Sequence, residues 1–466
     1  MKVNRMKTLL MLLAGLMLSA FDSEAQKEAN IWYFGENAGL DFSGGTPAYL
    51  LNGVMNKDEG CSSVSDANGN LLFYTSGIRV WNRNHQQMPN GSGLAGHESS
   101  SQSALIVPRP GSTNLFYVFT TDAFFYSNGL RYSVVDLSLQ GGMGDVTTKN
   151  VLLHTPSTEK LTAVKHSNQT DIWVIAHEGN SSSFTAYLVT SAGVSPPVTT
   201  SIGMIHTGGG ATGTLNAIGC MKASPDGSKL ALAMYNQGSI ELFDFNSTSG
   251  AFSNPVSFPA IYPWAYGVEF SPDNSKLYFT TDSIVYQADL NAGSPTAIIN
   301  SVLPVGSVAL GPFGEGYLAA LQLGPDMKIY GTSFFSEYLV VINAPDARGI
   351  ECGFDEQGVW LGGRHCYAGL PGFVQSWFYN PPSAVDKPCK NDDGVSVYPN
   401  PSTGQIRVVC PEETWSVEVI NLYGQIVTKV VPGDSQQVTI TGLRSGCYCI
   451  NVHSRAGIVS KKVLIR

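Results

Sequence analysis

The chain has 466 residues, 43% of them hydrophobic and 14% charged, with 50 Gly and 25 Pro, enough for two or three domains at roughly 150 residues each. Low charge with 20 Tyr, 21 Phe and 7 Trp excludes disorder, coiled coil and long helical repeats, and favours short strands joined by tight turns. The formal net charge of −9 repels phosphate backbones, so nucleic acid is not an expected partner.

Lys2, Arg5 and Lys7 precede an apolar run from Leu9 to Leu18, and Ser23-Glu24-Ala25 follows with small residues at the positions a signal peptidase reads. Residues 1–25 are therefore expected to be a signal peptide, cut between Ala25 and Gln26. An apolar run of about ten residues is too short to span a bilayer, which takes about 20. The mature chain is expected to be exported, without a transmembrane segment, into a compartment where its 8 Cys can oxidise.

From residue 60 to 345 a unit recurs in which an apolar strand meets a Pro/Asp/Asn/Gly turn and a second apolar strand follows. Its turns and second strands start at Asp66, Pro110, Asn168, Ser224, Ser271 and Gly324, with spacings of roughly 45 to 58 residues, about one four-stranded blade each. Asn30-Ile31-Trp32-Tyr33-Phe34 reads as a second strand lacking its first, and Gly372 to Phe378 as a first strand lacking its second. Joined, they predict an all-β, seven-bladed β-propeller over residues 26–383, closed by both termini of the passenger. Six or eight blades remain alternatives. Ser224-Pro225-Asp226-Gly227 and Ser271-Pro272-Asp273-Asn274 resemble the turns of secreted bacterial propellers of the surface-layer and quinoprotein-like group. Asn30 to Gly35 and Glu159 to His166 resemble stretches of propellers exported by type IX secretion. That resemblance implies architecture and address, and supplies no substrate.

Residues 384–393 lose hydrophobic periodicity and read as a linker. Residues 394–466 alternate apolar and polar in six runs, at 396–398, 406–409, 417–420, 438–440, 447–452 and 462–465, which suits a small β-sandwich. Within them Pro399-Asn400-Pro401 with Gly404, then Asn421-Leu422-Tyr423-Gly424, Gly446-Cys447-Tyr448 and a terminal Lys461-Lys462 resemble the type A sorting domain of type IX secretion. The resemblance implies transport across the outer membrane by that machinery, removal of the domain by a sortase, and possible attachment of the passenger to lipopolysaccharide. Cys447 and Cys449 depart from the pattern, which more usually has ordinary strand residues there.

Local signatures of chemistry are weak. Asp66, Asn68 and Asn70 have the spacing of a calcium loop, but Gly69 is misplaced and no bidentate Glu follows, so a tight turn is expected. His177-Glu178 and His97-Glu98 lack an identifiable third zinc ligand. Gly208 to Gly213 lacks the Lys-Ser/Thr of a phosphate cradle, and Gly433-Asp434-Ser435 reads as a turn. No catalytic residue, metal or cofactor is expected from these patterns. Phe124-Phe125-Tyr126 and Tyr262 to Tyr266 could stack on sugars or anchor a protein, or pack between blades. Cys352 and Cys366, with 13 residues between them, are the preferred disulfide, worth about 3 kcal/mol by loop entropy; two buried thiols are the alternative. Cys410 with Cys447 or Cys449 is a second candidate pairing, and Cys61 and Cys220 fall in non-neighbouring blades, too far apart to bond.

The leading expectation is a secreted or cell-surface, non-enzymatic propeller that binds a glycan or a surface protein through loops on one face. A hydrolase or lyase at the mouth of the central tunnel is one alternative, and a structural component of the envelope or gliding surface another. Fold alone does not choose among them.

Overall fold

Each of the six turn-and-strand units folds as the first hairpin of a four-stranded antiparallel sheet. Three of the turns share one device. The Asp66 carboxylate accepts from the backbone N–H of Asn68 and Asn70 at 2.8 and 2.9 Å, Asp226 from Ser228 at 3.0 Å, and Asp273 from Ser275 at 2.9 Å. An acidic side chain that mimics the backbone two residues on fixes such a turn. The Asp66 carboxylate is thus engaged by the turn, as the tight-turn reading expects, and not laid out as a calcium loop.

The computed structural model describes residues 27–207, 215–311, 316–379, 395–410, 414–421, 425–432, 437–454 and 457–466. The expected signal peptide with Ala25 and Gln26, the loop 208–213, the linker 384–393, Gly424 and the turn at Gly433 lie outside them. The chain divides into two units, Met1–Asn380 and Pro381–Arg466.

In the first unit, four-stranded sheets occupy residues 62–92, 104–154, 157–206, 221–257, 268–307 and 318–360. A three-stranded sheet is formed by Ile31–Phe34, Ala38–Asp41 and Ala48–Leu50. In every sheet hydrogen-bonded strands follow one another in sequence order apart from the direction of listing, so each is a meander. The first strands of neighbouring sheets pack side by side, from Ser62–Ser65 through Ala104–Pro108, Ser157–Lys165, Met221–Ala223 and Val268–Phe270 to Leu318–Leu323. Meanders radiating from adjacent inner strands make a β-propeller. Burial follows: Leu318–Leu323 is buried throughout, whereas the outer strand Gly193–His206 alternates half-buried and exposed residues. The one α-helix described, Pro295–Asn300, is capped by Ser294, whose hydroxyl accepts from the Ala297 N–H at 3.2 Å.

Ring closure brings the two ends of the passenger together, but not as two strands of one regular sheet. Gly372 to Phe378 does not form the expected strand. The Glu36 N–H donates to His365 O, the Ala368 N–H to Asp58 O, and the Gly372 N–H to Cys61 O. Isolated parallel bridges then join Pro371 to Cys61 and Val374 to Ala163, and the segment ends in a 3₁₀ turn, Gln375–Phe378. Cys61 and Ala163 belong to inner edges two sheets apart, so this strap runs down the central channel and fills it. Phe373 and Val374 are 1% and 0% exposed, and the void left among Cys61, Gln102, Cys220, Lys222 and Gly372 is only 20 Å3. The sequence pattern was apolar because the segment is buried on every side.

The expected disulfides do not form: Cys61, Cys220, Cys352, Cys366, Cys410, Cys447 and Cys449 are all free. Cys352 lies beside Ala344 and Cys366 beside Ser336, at opposite ends of the strand Tyr338–Ile342, too far apart to bond. The Cys366 thiol instead donates to Ser333 O at 3.1 Å. In the second unit, Gly446–Ser454 buries Ile450, Val452 and Ser454 and turns the alternate residues outward. Cys447 and Cys449 are therefore on the outer face, while Cys410, 2% exposed, lies in the core.

That second unit is a sandwich of a three-stranded and a four-stranded sheet around Val395, Ile406, Val408, Val417, Val419, Ile450, Val452 and Val463. All six expected runs are strands, and a seventh, Ile426–Val430, had no clear signal because most of its residues are exposed.

Candidate functional site on the loop face

Strand direction alternates within a meander, so the loops leading into each inner strand and the loops joining second to third strands emerge at the same end of the ring. The Asp-based hairpin turns are all at the other end. The loop face carries four large aromatic residues with left-handed backbone: Phe124 (φ 48°), Phe125 (64°), Trp264 (62°) and Phe335 (58°). Bulky side chains rarely adopt this conformation, and when they do the surroundings must hold them. Here they are held. The Phe124 N–H donates to the Glu159 carboxylate at 3.1 Å, and the Phe335 N–H to Cys366 O at 2.9 Å. Trp264 packs on Tyr235 with ring centroids 5.2 Å apart, and Phe335 stacks on His365 at 4.4 Å and 5°. The result is exposed aromatic surface: Trp264, Phe335 and Tyr126 are 43%, 47% and 50% exposed.

At the mouth of the channel, inside this rim, a polar network crosses the ring. The Tyr266 hydroxyl donates to Glu59 Oε2 at 2.8 Å, and the Ser99 hydroxyl to Glu59 Oε1 at 3.2 Å. Glu159 accepts from the Ser101 N–H and hydroxyl at 2.8 and 2.7 Å. Burial raises the pKa of both carboxyls, that of Glu159 to about 7, with the charge of Glu59 adding to the burial effect. Burial and Glu59 also keep the Tyr266 phenol protonated. The wholly buried Lys160 donates to the carbonyls of Asn216, Ala217 and Ile218 at 2.9, 3.0 and 2.9 Å, and burial lowers its pKa to about 7. Lys57 donates to His97 O at 2.6 Å and pairs with Glu98 at 3.5 Å; its pKa is lowered by burial.

His177 lies behind this mouth, stacked on His206 at 3.8 Å, with His206 Nε2 3.6 Å from Glu241 Oε2. Burial keeps both imidazoles neutral far below the usual histidine range. His97, by contrast, is at the loop face with its ring 5.8 Å from Tyr126. Among the described residues no group of three or more His, Cys, Asp and Glu is arranged to hold a metal ion.

The two aromatic clusters singled out in the sequence divide. Tyr262 and Tyr266 are buried at 7% and 4% and pack within the ring, whereas Trp264 and Tyr126 face outward. Sequence reading missed Glu59, Ser101 and Tyr266 as partners, since Glu59 and Tyr266 are 207 residues apart. Glu159 and Lys160 had a signal only as part of the stretch Glu159 to His166.

In the second unit the sorting motif is a piece of structure. Asn400 donates to Lys462 O at 2.8 Å and accepts from the Leu464 N–H at 3.0 Å, tying the turn that holds Pro399 and Pro401 to the terminal strand Gly457–Ile465, which carries Lys461 and Lys462. Gly404 has φ 108°, and Gly446 opens the neighbouring strand.

Residues 396–466 match the family described as the secretion system C-terminal sorting domain. No curated protein matches the chain. Among solved structures, a 6-phosphogluconolactonase candidate from Bacteroides fragilis is 13% identical, with a TM-score of 0.40 over 88% of this chain and 94% of that one. A periplasmic gluconolactonase from Pseudomonas aeruginosa is also 13% identical, with a TM-score of 0.37 over 78% and 94%. A β-propeller domain from Myceliophteria thermophila is 10% identical, with a TM-score of 0.39 over 66% and 94%. Likenesses this distant bring no substrate with them. No helix among the described residues is long and apolar enough to cross a membrane. The chain is a cargo of type IX secretion: a propeller passenger whose C-terminal sorting domain marks it for secretion or display at the cell surface.

Proposed function

We propose that the passenger is a glycan-binding module and that its loop face is the binding surface. The observation that carries this reading is the pair of exposed rings, Trp264 and Phe335, held in left-handed backbone at the end of the ring where Tyr126 is also exposed. Rings so presented offer flat apolar surface at low entropic cost, and the half-exposed Glu36 and the exposed Asp58 are acceptors for sugar hydroxyls. The reading predicts that a glycan array probed with the passenger gives specific hits, and that Trp264→Ala and Phe335→Ala each weaken the best hit by about tenfold (1.4 kcal/mol) in titration calorimetry. Melting temperatures should not fall, because each substitution removes an exposed ring. Unchanged affinity in both variants would refute the loop face as the site.

A second reading is a hydrolase or lyase at the channel mouth. It is favoured by the convergence of Glu59, Glu159 and Tyr266, of which Glu159 has a pKa near that of a general acid working at neutral pH. Release of reducing ends from the glycan that binds, abolished by Glu59→Gln, would establish it. As an address, we propose a signal peptide over residues 1–25, a linker over 384–393, removal of the sorting domain by a sortase, and lipopolysaccharide as one anchor of the product.

A further inference from the structure

The ring closes between its first and last sheets, and their outer strands stand apart. Between them lies an open cleft of 610 Å3, lined among others by Thr46, Tyr49, Lys328, Asn343 and Trp360, with Tyr330 and Val341 as its floor. The floor is sealed: Tyr330 and Val341 are 1% and 3% exposed. A Cβ on Gly358 would come within 2.5 Å of the Val341 side chain, so only glycine lets the last strand lie this close over the floor. Tyr49 and Trp360 rise from the two facing strands, each 45% exposed, with ring centroids 5.2 Å apart at 71°. Gly362, with φ +68°, makes room for the Tyr49 ring, which a Cβ there would meet at 2.7 Å.

The polar rim is ordered as well. Lys328 Nζ donates to Asn343 Oδ1 at 2.8 Å, and Asn343 Nδ2 donates in turn to Gly353 O at 3.0 Å. The amide therefore holds an ammonium at the edge of the cleft. The neighbouring Asp326 turns its Oδ2 to the Tyr330 hydroxyl, 2.7 Å away. The lining contains one cation and no carboxylate, on a protein of net charge −9. Two exposed rings, a sealed floor and a positioned cation make a concave site with a few fixed polar groups, the usual build of a small-ligand site.

We infer that this cleft is a second binding site, separate from the loop face, for an acidic saccharide. A sugar ring packs its C–H face against Trp360 or Tyr49, and the carboxylate of a uronic acid meets Lys328. A neutral sugar has no use for the ammonium, and a bare anion none for the rings.

The test is a titration of the full chain with tetragalacturonate and with neutral cellotetraose, followed by tryptophan fluorescence and by calorimetry. The acidic tetramer should bind and the neutral one should bind at least about tenfold more weakly. Lys328→Gln, which keeps a hydrogen-bond donor at this half-buried rim position, should cost about tenfold in affinity for the acidic sugar and remove its salt dependence at a nearly unaltered melting temperature. Trp360→Ala should abolish binding, while Trp264→Ala on the loop face should leave it intact. Equal binding of the neutral tetramer, full affinity in Lys328→Gln, or no binding of either sugar would overturn the inference. Loss through Trp264→Ala with retention in Trp360→Ala would move the acidic sugar to the loop face.

Discussion

Single side chains in this ring are titratable groups shut away from water, and they make its stability depend on pH in both directions. Burial lowers the pKa of His154 to about 4, against about 6.5 in an unfolded chain. The unfolded chain therefore takes up a proton that the folded one refuses, and stability is lost as pH falls from 6.5 towards 4. The shift corresponds to at most about 3 kcal/mol. Urea denaturation of wild type and His154→Gln at pH 7 and pH 4.5 should show the variant losing less on acidification; equal losses would contradict the burial argument. His177 and His206 act in the same direction. Glu159, raised to about 7, acts in the opposite one, its contribution being lost as pH rises from about 4.5 to 7. None of this was legible in the sequence. His177-Glu178 resembled a fragment of a metal site, and only the packing of His206 over it shows two neutral rings inside a wall.

The element that decides the passenger's integrity is the strap from His365 to Phe378. Its backbone is close-fitted: a Cβ on Gly369 would lie 2.0 Å from Glu59 O, so Gly369→Ala must displace either the strap or the loop that carries Glu59. Phe373, 1% exposed and 5.7 Å from Trp32, fills the channel, and Phe373→Ala should cost about 3 to 5 kcal/mol in thermal or urea unfolding. A cost below 1 kcal/mol would mean that the channel does not need its plug. The six repeat units were legible because their turns use Asp, Asn, Ser and Gly at fixed offsets, and those residues do locally what the sequence says. The strap was not, because an apolar run looks the same whether it pairs in a sheet or is wrapped by inner strands. The cysteines misled for a related reason: sequence spacing between Cys352 and Cys366 is blind to their places at opposite ends of the strand Tyr338–Ile342.

At the scale of the whole chain, address and architecture were written in short motifs, and the proposed binding surface was not. The sorting domain has its own core and a motif residue, Asn400, that ties first turn to last strand. Deleting residues 394–466 should therefore leave the passenger trapped in the periplasm, as read by cell fractionation and surface proteolysis. A truncated chain that still reached the surface would separate export from this domain. The loop face, by contrast, is assembled from segments as far apart as Phe124 and His365, so its aromatic rim and its acids come together only when the ring is closed.

The route of the strap also sets what a protease can do after export. The last residue that fills the channel is Phe378, and it is held from inside the ring, with the Ser376 hydroxyl accepting from the Lys165 N–H at 2.9 Å. Among the described residues, those that bolt the ring shut end at Phe378, so the cut we propose in the stretch that follows would sever the travel label without pulling a thread from the cargo. Maturation by clipping and a lasting fold are thereby compatible in one polypeptide, and the delivered fragment should melt at the same temperature as the ring did while still tagged.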